Sequence, residues 1–160
     1  IDLSNIVAGF NYDAILPTGL TKDMVVVGYG ASELEDLLEE ELSKSGRYIN
    51  PDPNPDKGYF YRSDHISFAK RGVPVLYADG GFDLVDGGKE AGFIIEEQYR
   101  LDAYHGVADE YDESWNLDGL NQSIDVIFNI SNELANNSQW PNWYEGNEFR
   151  SVRDLSRSGK

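Results

Sequence analysis

The stretch Gly58-Tyr59-Phe60-Tyr61-Arg62-Ser63-Asp64-His65-Ile66-Ser67-Phe68-Ala69-Lys70-Arg71-Gly72-Val73-Pro74-Val75-Leu76-Tyr77-Ala78-Asp79-Gly80-Gly81 decides how the chain folds. It reads as an aromatic turn, a short helix, and a buried strand that stops at two glycines. Ser63 has the chemistry of a helix N-cap, because its hydroxyl can accept from a free backbone N–H of the first turn. Asp64 follows where the helix dipole favours negative charge. Gly72 can take the left-handed conformation that closes a helix, and Pro74 bars its continuation. Val73, Val75, Leu76 and Tyr77 form the short apolar run of a strand buried on both faces. In an α/β sheet ligands bind at the carboxyl end of such a strand, and Gly80-Gly81 leave that end open.

Upstream, residues 6–12 (Ile-Val-Ala-Gly-Phe-Asn-Tyr) read as another buried strand, ending at Asp13. Residues 24–27 give a further strand. Ser32-Glu33-Leu34-Glu35 is a capping box, and Leu34, Leu37, Leu38 and Leu42 make one apolar stripe before Gly46 ends the helix. The charges between those leucines read as its solvent face. Residues 47–50 allow a short extended piece, and Pro51, Pro53 and Pro55 stiffen an exposed loop. Downstream, 90–100 reads as a short helix within a long connection of the kind that walls a pocket. Leu117, Leu120, Ile124, Ile127, Phe128 and Leu134 recur at helical spacing, which predicts a long amphipathic helix over 118–135. After it, Trp140, Trp143, Tyr144 and Phe149 are expected to pack back on the domain, and the basic end from Arg150 to fray. Strands alternating with helices argue for a layered α/β sheet.

At 160 residues, 40% hydrophobic and 12% aromatic, the chain can bury a real core. Its 29 acidic and 13 basic residues give a formal charge of −16, which argues against a nucleic-acid partner, whose phosphates want a basic patch. No apolar run is long enough to span a membrane. The absence of cysteine excludes disulfides and thiol chemistry.

The chain holds only two histidines, His65 and His105. His65 sits inside the short helix, where a packing role is the ordinary reading. His105 lies in a loop after Tyr104 and ahead of an acidic cluster. Asp13, closing its strand, is either a turn aspartate or a ligand at the carboxyl edge of the sheet. No Gly-x-Ser-x-Gly elbow and no phosphate-binding glycine loop is present. The residues by themselves leave an α/β domain with an Asp/His metal or acid–base pair.

Asn11-Tyr12-Asp13, then Arg62-Ser63-Asp64-His65 with Phe68 and Gly72-Val73-Pro74, then Tyr104-His105 with Asp109, together resemble the di-zinc exopeptidases of metallopeptidase family twenty-eight. That family includes bacterial leucyl aminopeptidases and glutamate carboxypeptidase-like enzymes. The order and spacing match over about 6–134. The resemblance implies a three-layer α/β/α fold with a central mixed sheet, and a peptide substrate hydrolysed at its N-terminal bond by water activated on two zinc ions. By it, Asp13 is similar to the fourth of five metal ligands and also to a holder of the substrate's α-amine. His105 is similar to the fifth ligand, which serves the other zinc. Tyr104 resembles the tyrosine that stabilises the oxyanion. Ser63, Asp64 and His65, with Asp109, resemble structural residues near the site. Tyr59 and Tyr61, with the 82–101 connection, are expected as pocket walls, which suits an apolar substrate side chain.

The family's His-x-Asp motif, its bridging aspartate and its Glu-Glu pair belong upstream of Asp13, where only twelve residues stand. The expectation is therefore the C-terminal part of such a domain, with residues 1–136 from the catalytic core and 137–160 an aromatic, then basic, tail. It is expected to be inactive alone and to hold zinc weakly or not at all. The strand leading to Asp13 is expected to pair with a second copy or with the missing half through an open sheet edge. A periplasmic or secreted parent is the favoured setting. The alternatives are a glutaminyl-cyclase-like zinc acyltransferase and a non-catalytic binding domain of the same fold.

Overall fold

The computed structural model describes residues 2–13 and 16–158. Among them the chain forms β1 (Gly9–Asn11), β2 (Asp23–Val26), α1 (Leu34–Ser43), β3 (Tyr48–Pro51), α2 (Ile66–Ala69), β4 (Val75–Gly80), α3 (Gly88–Asp102), α4 (Asp118–Asn136) and α5 (Arg150–Arg157). The strands lie in the order β1-β4-β2-β3. β1 runs parallel to β4 and β3 parallel to β2, while β2 and β4 are antiparallel, so the sheet is mixed, as expected.

Period-two alternation along the central strands separates two faces. Met24, Val26, Leu76 and Ala78 point to one side, where Leu34, Leu38 and Leu42 of α1 and Val126, Ile130 and Leu134 of α4 close over them. Val27 and Tyr77 point to the other side and pack with Phe60, Ala69, Trp143 and Phe149. Helices therefore cover both faces of an α/β sheet. No helix among the described residues is long and apolar enough to cross a membrane.

Three local expectations give way to tertiary contacts. The stripe assigned to α4 is partly out of phase: Ser123, Val126, Ile130 and Leu134 are buried, whereas Ile124 and Phe128 are 51% and 65% exposed. Glu35 does not face solvent either. It is buried, and its carboxylate accepts the N–H groups of Gly30 and Ala31 at 2.7 Å each and that of Ser32 at 3.3 Å. This is the glutamate half of the capping box, and the Ser32 hydroxyl supplies no cap in return.

The basic end forms α5 instead of fraying. Arg153 is 2% exposed and donates from Nη1 to the Ile6 carbonyl at 3.0 Å and from Nη2 to the Val7 carbonyl at 2.9 Å. Arg157 donates to the Ser4 carbonyl at 3.1 Å. Trp143, fully buried, donates its indole N–H to the Gly72 carbonyl at 3.0 Å. Gly72 has φ +85°, and a Cβ there would lie 2.6 Å from the Arg153 backbone nitrogen, so only glycine lets α2 and α5 meet. The C-terminal segment thus clasps the approach to β1.

Removing the Arg153 guanidinium strands two carbonyls in a covered place, and a lost hydrogen bond of that kind costs more than an exposed one. Arg153→Met is expected to lower unfolding stability by about 2–4 kcal/mol in urea titrations. Arg71→Ala, on an exposed position, should change it by less than about 0.5 kcal/mol.

Candidate metal and substrate site

Because β1 and β4 run parallel, with Asn11 beside Tyr77, their carboxyl ends emerge together. Asp13 leaves β1 there, and Asp79 sits near the end of β4. The Asp13 N–H donates to Asp79 Oδ1 at 3.3 Å. Asp13 Oδ2 accepts from the Ser63 hydroxyl at 3.0 Å and from the Tyr77 hydroxyl at 3.4 Å. Ser63 Oγ in turn accepts from Asn11 Nδ2 at 3.1 Å. The Ser63 side chain is therefore not the N-cap its position suggests. α2 begins at Ile66 without a side-chain cap, and the hydroxyl serves residues some fifty positions away.

The sheet face bearing Val25, Val27, Tyr77 and Asp79 floors a cavity of about 200 Å³. Gly92, Glu96, Tyr99 and Arg100 of α3 line it from above, with Tyr104 just beyond the helix and Asp52 and Tyr59 on the connection from β3. Gly81 and Phe82 shape its rim. They are pinned by fully buried Asp23, which accepts from the Asp83 N–H at 2.9 Å, the Phe82 N–H at 3.3 Å and Asn50 Nδ2 at 2.8 Å. A Cβ on Gly81 would lie 2.0 Å from Asp23 Oδ1, so the rim needs glycine there.

Burial pushes the Asp79 carboxyl up to about 7, and the charges of Asp13, Asp52 and Glu96 push the same way against the single N–H from Asp13. The Tyr77 phenol is raised by burial and by Asp79, so it stays protonated and remains a donor to Asp13.

Other residues singled out from the sequence fall in and around this place. Tyr104 lines the cavity and stacks on His105 with ring centroids 3.9 Å apart. His105 is exposed, has φ 58°, and is not among the residues lining the cavity. Asp109 accepts from the Tyr99 hydroxyl at 2.9 Å, tying the loop after α3 back to that helix. Tyr59 is a cavity wall, whereas Tyr61 lines a neighbouring hollow and donates to Glu148 at 2.8 Å. Asp64 is exposed. His65 is 3% exposed, lies against Phe60 and Tyr77 at 4.6 Å and 5.0 Å, and among the described residues neither ring nitrogen has a partner. Burial lowers its pKa, which keeps the ring neutral as a packing group. Among the described residues no three His, Asp or Glu side chains converge to hold a metal ion.

Two contributors were missed, Asp79 and Tyr77 as a partner of Asp13. The signal for both was period two along β4, which puts Tyr77 and Asp79 on one face, with a carboxylate where a buried strand would otherwise carry an apolar residue.

A carboxyl whose pKa is higher in the folded chain than in the unfolded one binds its proton more tightly when folded. Its contribution to stability is fullest below the unfolded value of about 4 and is lost as pH rises towards about 7. Asp79→Asn should therefore stabilise the chain at pH 8, by a few kcal/mol at about 1.4 kcal/mol per pKa unit, and flatten stability between pH 4 and 7. Urea unfolding across that range measures it, and an unchanged pH profile would contradict the assignment.

A family model described as Peptidase family M28 matches residues 2–131. No curated protein and no solved structure matches the chain. With most of its length matched to that one model, the chain belongs to Peptidase family M28, a family of zinc-dependent peptidases.

Proposed function

We propose that this chain is part of a zinc-dependent aminopeptidase, and that its 160 residues alone are inactive. The supporting observation is one arrangement. Asp13, with Oδ2 held by Ser63 and Tyr77, stands at the mouth of a cavity whose wall includes Tyr104. In this reading Asp13 offers its other oxygen to one metal and to the substrate's α-ammonium. His105 offers an imidazole to the second metal. The Tyr104 hydroxyl donates to the oxygen that gains charge as the peptide carbonyl is attacked.

Zinc would supply the activated water, but the residues in hand do not complete a site for it. A catalytic zinc takes three protein ligands, and no such trio forms among the described residues. The remaining ligands and the general base have to come from another stretch of polypeptide. Residues 1–136 with the 137–160 tail would then be the C-terminal portion of the catalytic domain. The outer edge of β1, which pairs with no strand among the described residues, is where that stretch or a second copy would add.

Given zinc and aminoacyl p-nitroanilides, the chain alone should release nitroaniline no faster than the uncatalysed reaction. Turnover near the ~10 s⁻¹ typical of enzymes would overturn the half-site reading. In a polypeptide that carries the remaining ligands and hydrolyses these substrates, Tyr104→Phe should lower kcat about 10²–10³-fold with KM little changed. An unchanged kcat would remove Tyr104 from the reaction.

A further inference from the structure

We propose, resting on the aminopeptidase reading, that the cavity under α3 receives a cationic side chain, lysine or arginine, from the substrate's first residue, with Asp79 as its specificity-determining anchor. The cavity has two chemical characters. Its floor from Val25 and Val27, with Phe82 at the rim, is apolar. The carboxylates of Asp13, Asp52, Asp79 and Glu96 also line it, and Arg100, the one basic lining residue among the described residues, sits 3.8 Å from Glu96.

That combination suits a particular shape of cation. A compact metal ion needs ligands that converge, and no three of these acids do so. A lysine or arginine side chain has a long apolar stem and a charged head, which would meet the valines and the carboxylates in turn. Tyr77, beside Asp79 on the floor, adds an aromatic ring of the kind that attracts an ammonium or guanidinium. A volume of about 200 Å³ fits one side chain better than a larger ligand. Asp79 is the carboxylate placed to choose. Its Oδ1 is taken by the Asp13 N–H, while Oδ2 accepts no hydrogen bond among the described residues. An uncharged aliphatic side chain would cover that oxygen and leave it without a partner.

The test uses side-chain analogues that lack both the α-amine and the scissile bond, so it does not depend on hydrolysis. Butylammonium, butylguanidinium and uncharged pentanol are titrated into the chain at pH 8, following amide chemical shifts at Asp79, Gly80, Gly92 and Tyr99. The two cations are expected to bind at least tenfold more tightly than pentanol and to shift those four amides. Asp79→Asn and Asp79→Ser should each lose that preference, while Asp56→Asn, an exposed acid outside the cavity lining, should keep it. Equal binding of cations and pentanol, or a preference that survives both Asp79 variants, overturns the proposal. If the preference is absent but Tyr104→Phe still cripples hydrolysis, the side-chain assignment alone fails. If cations bind as expected but a polypeptide carrying the remaining ligands leaves aminoacyl p-nitroanilides intact, the aminopeptidase reading fails, and with it the assignment of the cation to a substrate residue.

Discussion

A carboxylate at the end of a strand can act on a ligand only if it is kept from folding back onto its own backbone. At Asp13 the Ser63 and Tyr77 hydroxyls provide that restraint by donating to the same oxygen. Ser63 is steadied by Asn11 on the strand that carries Asp13, and Tyr77 comes from the neighbouring parallel strand. The restraint therefore exists only while β1 and β4 stay in register. The site depends on that pairing, because it brings the two carboxyl ends, and with them Asp13 and Asp79, to one place.

The remaining architecture protects the register. β4 lies between β1 and β2, so it is paired on both edges. On one face α1 and α4 bury Met24, Val26, Leu76 and Ala78, which makes a slip of one residue costly because it would turn those side chains to the opposite face. β1 is only three residues long and has the weakest claim to stability by itself. Arg153 and Arg157 compensate by gripping the carbonyls of Ser4, Ile6 and Val7 just before it. A basic segment in a strongly acidic chain thus acts through backbone oxygens more than through carboxylates.

Most elements were legible because their signals are local. Leucines at helical spacing announce α1, the apolar run after Gly72 announces β4, and the recurrence from Leu117 to Leu134 marks α4, although which flank faces the core depended on how α1 lies against it. What was illegible depends on contacts distant in sequence. Ser63 looks like a cap, and its partners are Asn11 and Asp13. Arg153 looks like a solvated tail residue, and it reaches back nearly the full length of the chain. In the site, Asp13 and Tyr104 could be singled out by resemblance to a family. Asp79 could not, because its character comes from the cavity above it and from the burial that raises its pKa, with neighbouring carboxylates adding to the shift.

Under the proposed function this polypeptide brings one ligand to each of two metals. Calorimetric titration of zinc into the isolated 160-residue chain addresses it most directly. Binding weaker than micromolar, without a defined two-metal stoichiometry, is the predicted result. Two ions held at micromolar affinity or tighter would contradict the claim, because they would require ligands that this reading places on another stretch of chain.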